Sequence, residues 1–266
     1  MAIVTRTAGE LLYLADESIK TPHAFTSRLG GVSSGKLASL NLGISRGDCP
    51  ENLLENYRRI TRVLGTKIED LALSRQVHKD TVRVVEAKDK QGDLFRPTPY
   101  EADGLVTGER GITLAIFTAD CVPILLWDEI GGAVGAVHAG WRSTVMDIAG
   151  KAVAKLRSPL GADPKHIRAA IGPCIGPCCF ETGPEVSRAV TDCLGLDAGD
   201  CITGGENGEN MVDLKEVNRR LLLRAGLLPE HITTASHCTM CMPEVFWSHR
   251  ATGGERGSQA AIIFRA

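Results

Sequence analysis

Three side chains of the types that bind transition metals stand beside apolar segments of the chain. His78 precedes one such segment, Cys121 follows a second, and His138 ends a third. One thiolate and two imidazoles suit zinc and leave its fourth position open for water or a substrate. An open zinc position lowers the pKa of a bound water toward ~7. The residue types therefore predict a metal site at His78, Cys121 and His138, with zinc expected and copper as the alternative.

Two charged residues lie close to this set in the sequence. Asp120 directly precedes Cys121 and is a candidate to orient a metal ligand or to relay a proton, with a turn carboxylate as an equal alternative. Arg142 follows His138 where a predicted strand leads into a predicted helix. Helix N-termini attract anions, and a guanidinium adds a bidentate donor. We therefore expect Arg142 to bind phosphate; the alternative is a surface salt bridge.

Each candidate also has a plainer interpretation. An isolated Cys at a strand end is commonly a small buried apolar residue, and an isolated His commonly has a structural role. Spacing alone does not bring His78 close to Cys121. A cysteine hydrolase is a further alternative, with Cys121 as the nucleophile and His138 as its base. Its substrate would be an amide or, as the family resemblance described below implies, a peptidoglycan precursor. A metal-stabilised module that binds a ligand without converting it is the non-enzymatic alternative.

The elements that must position these residues are helices and short apolar strands. Capping residues and apolar spacing predict four helices: Pro50 through Leu64, Val145 to Leu156 after a Thr144/Asp147 signal, Gly183-Pro184 toward Leu194, and a helix from Asp213/Glu216 to Gly226. Six apolar segments are predicted strands: 81–85, 112–117, 123–127, 133–137, 167–171 and 260–264. The segment from Thr203 to Asn210 is a predicted surface loop.

The order of these elements predicts the fold class. Near-continuous apolar strands are typical of sheets covered on both faces, and strands interleaved with helices favour layered packing. Three strands follow one another between residues 112 and 137 without a helix, which argues against simple Rossmann winding. We expect an α/β fold (α+β by some schemes). It would be a single three-layer α/β/α domain over residues 1–266 with a mixed sheet.

Composition excludes several classes of partner. The chain is 43% hydrophobic and 23% charged, with a net charge of -2, so it has no basic patch for nucleic acid or an anionic membrane. Aromatic residues make up 5% of the chain, which argues against stacking on single strands. No apolar run is long enough to span a bilayer or act as a signal segment, and we expect a cytoplasmic protein. Oligomeric state is not predicted.

The nine cysteines are odd in number, which fits reduced thiols better than a disulfide scaffold. Cys238 and Cys241 form a C-x-x-C pair, as in half of a zinc ribbon. Cys174, Cys178 and Cys179 offer no second C-x-x-C pair, so structural thiols are the favoured interpretation.

Two motif matches fail on inspection. The glycine-rich stretch from Gly30 to Lys36 approaches a P-loop, but Leu37 stands where a hydroxyl must hold Mg²⁺. The cytidine-deaminase pattern is also missing, because the chain has neither H-x-E nor P-C-x-x-C.

A longer set of motifs resembles one known family. The central stretch DCVPILLWDEIGGAVGAVHAGWRST, residues 120–144, resembles the signature of the YfiH/YlmD family, also called the peptidoglycan editing factor or laccase-like multicopper polyphenol oxidase family. Further pieces agree in the same order: Ser27-Arg28, Gly30 to Ser33, Asn41 to Gly43, Gln76 to His78, Asp103-Gly104, Ile171 to Ile175, Phe180-Glu181, Gly183 to Val186, Cys238-Thr239, Phe246 to Arg250 and Arg256-Gly257.

This resemblance implies an α/β/α domain with one zinc held by His78, Cys121 and His138. It also implies phosphorolysis of adenosine, inosine, guanosine and methylthioadenosine, and deamination of adenosine. Purine nucleosides and phosphate would be the ligands. Asn41 and Arg58 are weaker candidates for substrate contacts, since turn and helix-surface roles explain both.

Some features separate this chain from the implied pattern. Ser143 stands where the family usually has glycine, and Phe180-Glu181-Thr182 replaces a common Tyr-Glu-Val run. Neither change touches the three expected ligands. A multicopper centre needs many histidines, commonly in H-x-H pairs, and this chain has seven histidines and no such pair. We therefore expect no true laccase chemistry.

Overall fold

The predicted strands are part of a larger set that forms two large sheets and one small sheet. The computed structural model describes residues 2–204 and 209–266. The strands are β1 (Ile3–Ala8), β2 (Leu11–Asp16), β3 (His23–Thr26), β4 (Leu71–Ala72), β5 (Val82–Val84), β6 (Gly104–Thr107), β7 (Ile112–Thr118), β8 (Val122–Asp128), β9 (Val134–Ala139), β10 (Ile167–Ile171), β11 (Glu181–Thr182), β12 (Ile202–Gly204), β13 (Asn210–Val212), β14 (Ile232–Thr234) and β15 (Gln259–Arg265). The helices are α1 (Pro50–Leu64), α2 (Trp141–Val145), α3 (Ile148–Arg157), α4 (Pro184–Leu194), α5 (Leu214–Arg224) and α6 (His249–Thr252).

Both large sheets are mixed. The first has the order β1-β2-β3-β15-β7-β4, and the second has the order β14-β10-β8-β9-β6-β5. Most neighbours run antiparallel, while β4 with β7, β5 with β6, and β10 with β14 run parallel. A small third sheet has the order β11-β13-β12. The predicted α/β class with mixed pairing is confirmed.

The layers number four rather than the predicted three, because the two sheets share one core. Buried residues of both sheets form this core, including Ile116 and Ile263 from the first and Leu125 and Ala136 from the second. Helix α1 packs on the outer face of the first sheet. Helices α3, α4 and α5 cover the outer face of the second. Apolar strands indicate that both faces are covered, but not whether a helix or another sheet covers them.

Three of the four predicted helices are confirmed, including the N-cap of α5, where the Asp213 carboxylate accepts from Lys215 and Glu216 N–H. The helix predicted over 145–156 is wrong at its start. Asp147 adopts a left-handed conformation (φ 58°) and caps α3 through Gly150 N–H, so the chain forms the separate short helix α2 before it.

All six predicted strands are present, with ends that differ by at most two residues. Both ends of the loop expected from Thr203 to Asn210 belong to the paired strands β12 and β13, and residues 205–208 lie outside the described part of the chain. Among the described residues, no helix combines the length and the apolar character needed to cross a membrane.

Candidate metal centre and adjoining cavity

Strand pairing brings the three expected metal ligands to one edge of the second sheet. Strands β8 and β9 are antiparallel and pair Pro123 with His138, which places Cys121, just before β8, beside the end of β9. Strand β6 pairs with β9 on its other side, and β5 pairs with β6. His78 precedes β5 and therefore reaches the same edge. The spacing in the sequence did not show whether His78, Cys121 and His138 come together. The strand order explains why they do.

The three donor atoms are close enough to share one ion. The donor atoms of His78, Cys121 and His138 all lie within 4.8 Å of one another. Cys121 Sγ is 3.9 Å from His78 Nε2, and the two imidazole rings stand nearly perpendicular at 83°. Tetrahedral zinc bonds of about 2.0–2.3 Å require donor separations of roughly 3.3–3.8 Å, so small side-chain movements would complete the shell. The residues fit a zinc ion with one open position.

Asp103 organises two of the three ligands. Its buried carboxylate accepts the N–H groups of Val77, His78 and Lys79, each at 3.0 Å. It also accepts from Nδ1 of His138 at 2.8 Å, which leaves Nε2 of that ring to face the site. Burial opposes ionisation of Asp103, but the His138 and backbone hydrogen bonds outweigh it and lower its pKa. A carboxylate behind a ligating imidazole fixes its tautomer and orientation.

Sequence reasoning assigned no role to Asp103. Its only signal was the Asp103-Gly104 pair among the resemblance motifs. The positive φ of His78 (58°) explains why the carboxylate is needed, because this strained turn points three successive N–H groups at one acceptor.

In the absence of metal, Cys121 and His138 form a thiolate–imidazolium pair. Burial opposes the charge on Cys121, but the charges and hydrogen bonds of His138 and His78 outweigh it and lower the pKa of the thiol to about 6. Burial likewise opposes the charge on His138, while the Cys121 thiolate and Asp103 raise the pKa of the imidazole to about 9. Both pKa shifts arise from attraction between opposite charges at a buried site. The same pair would suit a divalent cation or a nucleophilic thiol.

Asp120 positions the Cys121 turn rather than pointing a free carboxylate at the ligands. The residue has a positive φ of 90°. Its carboxylate accepts from Thr239 Oγ1 at 2.6 Å and from Arg250 N–H at 2.7 Å. Its carbonyl accepts from Ile175 N–H at 2.9 Å. Two other loops and helix α6 therefore hold the backbone that presents Cys121.

A cavity of about 500 Å³ opens directly onto the three ligands. This volume is within the range of small-molecule sites. Its walls come from several loops and strand ends: Gly43, Ile44, Ser45, Arg46, Leu73, Ser74, Arg75, Gln76, His78, Leu94, Phe95, Arg96, Pro97, Thr98, Phe117, Thr118, Ala119, Cys121, His138, Arg256 and Ser258. The lining combines apolar and aromatic side chains with cationic ones.

Sequence reasoning selected none of the four arginines that line the cavity, Arg46, Arg75, Arg96 and Arg256. Arg75 pairs with Glu101, whereas Arg46 and Arg256 lie close enough for their charges to interact. Burial, and after it the neighbouring charge of Arg46, lower the pKa of Arg256 to about 10. Two like charges that face one cavity favour an anion between them. Ser74 Oγ, Thr118 Oγ1 and Arg256 Nε are buried without a hydrogen-bond partner in the described part of the chain. These atoms are available to a polar ligand.

The three expected substrate contacts lie elsewhere. Arg142 is exposed on α2, where its guanidinium stacks over Trp141 at 4.3 Å. Asn41 is fully buried, and its amide binds the backbone of Gly43 and Ser258. Arg58 is exposed on α1. None of the three lines the cavity. The helix after β9 is only five residues long, and the guanidinium of Arg142 lies over Trp141 instead of lining the cavity.

Comparisons with known proteins agree with this architecture. The purine nucleoside phosphorylase of Deinococcus radiodurans is 39% identical over 257 residues, which cover 97% of this chain and 94% of that protein. The adenosine deaminase RL5 of an unknown prokaryotic organism is 34% identical and covers 94% of this chain and 96% of that protein. The crystal structure of YlmD from Geobacillus stearothermophilus has a TM-score of 0.93 at 34% identity and covers 100% of this chain and 99% of that one. The profile described as multi-copper polyphenol oxidoreductase laccase matches residues 22–266, and the chain belongs to this family, as its resemblance to YfiH and YlmD indicated.

Proposed function

We propose that the protein is a zinc-dependent purine nucleoside phosphorylase that also deaminates adenosine in the same cavity. The observation that carries this proposal is the union of three side chains that fit a metal ion with a set of arginines, among them Arg46 and Arg256, in one cavity of nucleoside size. Relatives named purine nucleoside phosphorylase and adenosine deaminase support both activities. Adenosine, inosine, guanosine and methylthioadenosine are the proposed substrates. The enzyme would act as one domain over residues 1–266 in the cytoplasm.

Phosphate would lie between Arg46 and Arg256. The Nη1 group of Arg256 binds Gly257 O at 2.9 Å and Ser258 Oγ at 3.0 Å, which fixes the plane of its guanidinium. Its unpartnered Nε then remains to donate to an anion. A positioned, partly desolvated guanidinium binds phosphate more strongly than a mobile surface one.

The purine would occupy the apolar side of the cavity. Phe117 and Phe95 line it, and Phe95 is 39% exposed, as expected for a ring that a ligand would cover. Aromatic faces stack on any purine, so this wall fits several bases. The serine and threonine hydroxyls left without partners are suited to donate to ring nitrogens or ribose oxygens.

In phosphorolysis, a phosphate oxygen forms a bond to C1′ of the ribose as the C1′–N9 bond breaks. The purine leaves with the electron pair of that bond and takes up a proton. The arginines hold the attacking anion in line and neutralise its charge, which converts a bimolecular reaction into a positioned one. A zinc ion held by His78, Cys121 and His138 would supply Lewis-acid charge beside the reacting groups. Asp103 keeps His138 in the tautomer that such a ligand needs.

Deamination would use the same cavity without phosphate. The oxygen of a water molecule forms a bond to C6 of adenosine, the bond from C6 to the amino nitrogen breaks, and ammonia leaves. Inosine is the product. The two activities therefore differ in their co-substrate and not in the side chains that surround the base.

One specific observation favours a second candidate function. Cys121, His138 and Asp103 form a thiolate, an imidazolium and a carboxylate in the sequence of contacts that a cysteine hydrolase uses. Such an enzyme would attack an amide, with peptidoglycan precursors as candidates. A thiolate bound to metal is not free to attack, so metal content separates the two functions.

The test is adenosine turnover by purified protein, with and without phosphate, beside elemental analysis. Adenine and ribose 1-phosphate that form only with phosphate support phosphorolysis, and inosine formed without phosphate supports deamination. Cys121→Ala should lose both the metal of this centre and both activities, whereas Cys49→Ala, a change at an exposed thiol outside the cavity, should lose neither. Absence of metal, with rapid alkylation of Cys121 and no nucleoside turnover, would overturn the proposal in favour of the hydrolase.

A further inference from the structure

Four further thiols converge outside the cavity. Cys178 and Cys179 lie in the loop after β10, and Cys238 and Cys241 lie in the loop after β14. Strands β10 and β14 run parallel, so their carboxyl ends meet at one edge of the sheet. An isolated bridge between Cys174 and Cys238 continues this pairing and aligns the two loops. The vicinal cysteines of one loop therefore face the C-x-x-C pair of the other.

The sulfur positions match a single four-coordinate ion. All four Sγ atoms lie within 4.8 Å of one another. Cys241 Sγ is 3.5 Å from Cys178 Sγ and 3.3 Å from Cys179 Sγ. A tetrahedral ion with metal–sulfur bonds of about 2.3 Å requires sulfur separations of roughly 3.8 Å. The observed spacing is near this value.

Backbone N–H groups point at Cys238 Sγ, as they do at metal-bound sulfurs. Gly176 N–H donates to Cys238 Sγ at 3.2 Å, and Cys241 N–H donates to the same sulfur. Hydrogen bonds from N–H groups stabilise negative charge on sulfur, as the outer groups of metal sites do. The turn itself is fixed, because Thr239 N–H donates to Cys174 O at 3.0 Å. The turn is thus preformed with its sulfurs on one side.

We propose that Cys178, Cys179, Cys238 and Cys241 bind a second divalent metal ion of the zinc class as four thiolates. Four thiols lose their protons on binding, and no electron is transferred. Unlike the His78, Cys121 and His138 centre, this site has no open position, because the protein supplies every ligand. It is a structural site. Cys178 and Cys241 are exposed, so the ion can enter from solvent.

This second site would stabilise the turn that presents Cys121. Thr239, between two of the thiols, donates its hydroxyl to Asp120 at 2.6 Å. Ile175, in the other loop, donates its N–H to the carbonyl of Asp120. An ion that joins these loops would hold both contacts at once. The sequence favoured structural thiols without metal because a second C-x-x-C pair is missing. In the proposed site the vicinal pair Cys178-Cys179 supplies the other two ligands instead.

Metal stoichiometry tests the site without any reference to turnover. Wild-type protein purified with excess zinc and then desalted should hold two zinc ions per chain. The double variant C178S/C241S should hold one, as should H78A, whose loss is at the other centre. Cys49→Ser should hold two, because Cys49 belongs to neither group. One zinc in the wild type and one in C178S/C241S would overturn the proposal.

Cobalt provides a readout that does not depend on a variant folding. Wild-type protein loaded with cobalt should bind two ions with distinct visible spectra, one of which has the longer-wavelength bands and strong sulfur-to-cobalt charge transfer of four-thiolate coordination. Intact mass measured under denaturing, non-reducing conditions should show all nine cysteines reduced. A mass lowered by the hydrogens lost in disulfide formation, together with a single cobalt spectrum, would show that these four thiols form disulfides and would refute the metal site. Neither result depends on the proposed activity.

Discussion

Replacing Asp103 by asparagine should show how much this residue contributes to the proposed metal centre without changing any of the three proposed ligands. The two carboxylate oxygens divide four donors evenly. Oδ1 accepts from His78 N–H and His138 Nδ1, while Oδ2 accepts from Val77 N–H and Lys79 N–H. An amide has one oxygen and one NH₂, so either orientation of the introduced side chain would set an NH₂ group against two donors.

The expected magnitude follows from this count. Two charge-assisted hydrogen bonds are replaced by donor–donor contacts, and each is worth about 1.5–3 kcal/mol, so we expect a loss of roughly 3–6 kcal/mol in the free energy of unfolding. If the amide turns its NH₂ toward His138, the imidazole loses its acceptor and its fixed tautomer. Loss of such a partner weakens metal binding about 10–100-fold. Asp103→Asn should therefore bind zinc about 10–100-fold more weakly than the wild type.

Competition with a chromophoric chelator measures the zinc affinity, and urea unfolding measures the stability. Asp128→Asn is the matched control, because Asp128 is also buried and also accepts two backbone N–H groups, from Ile130 and Gly131, at a turn far from the ligands. It should lose stability and keep zinc affinity. If Asp103→Asn bound zinc within about twofold of Asp128→Asn, the assignment of Asp103 as the organiser of the centre would be refuted.

Three other perturbations have defined outcomes. In steady-state kinetics, Arg256→Gln should raise the KM for phosphate about 10–100-fold, because it loses one charge-assisted contact of about 1.5–3 kcal/mol. It should leave phosphate-independent deamination within about twofold. The control Arg58→Gln should change neither activity. Chelator-treated protein should alkylate at Cys121 with half its maximal rate near pH 6, and added zinc should abolish this reaction, with Cys121→Ser giving the background. Burial lowers the pKa of His23 below 6.5, so below that pH the unfolded chain binds a proton that the folded chain does not bind. Urea unfolding should therefore show the free energy of unfolding falling by up to about 1.4 kcal/mol per pH unit on acidification. The decrease should be smaller in His23→Gln.

The candidate ligands and most elements could be predicted from the sequence because each has a local signal. Apolar runs predict β7 through β10, and a proline or an aspartate at a helix start predicts α1, α4 and α5. The ligand types of the candidate metal centre are legible for the same reason, since one thiol and two imidazoles form a donor set that suits zinc. The short strands at the sheet edges, such as β4 and β11, carry too few residues for a periodic pattern.

What remained hidden depends on contacts between distant segments. Arg46 and Arg256 are separated by most of the chain and meet only because the loops after β3 and before β15 close over one cavity. Arg142 had the better local signal, a predicted helix N-terminus, but its guanidinium turns onto Trp141. Asp103 likewise looks like an ordinary turn residue until strand β6 places it behind His138. Cationic and acidic side chains have no periodicity, so their partners cannot be inferred from spacing.

The charge state of Cys121 and His138 also sets the pH dependence of metal binding, with a definite sign. In the metal-free protein the thiol has a pKa of about 6 and the imidazole a pKa of about 9, so at about pH 7–8.5 the sulfur is already ionised while Nε2 of His138 carries a proton. A metal ion must displace that proton, because a ligating imidazole is neutral. Zinc affinity should therefore rise about tenfold per pH unit across this interval and become constant above about pH 9, where the folded protein no longer holds the proton. Chelator competition at several pH values measures the slope. A slope of zero would mean that Nε2 of His138 is unprotonated in the metal-free protein. That result would contradict both the predicted pH dependence and the thiolate–imidazolium pair that supports the cysteine hydrolase.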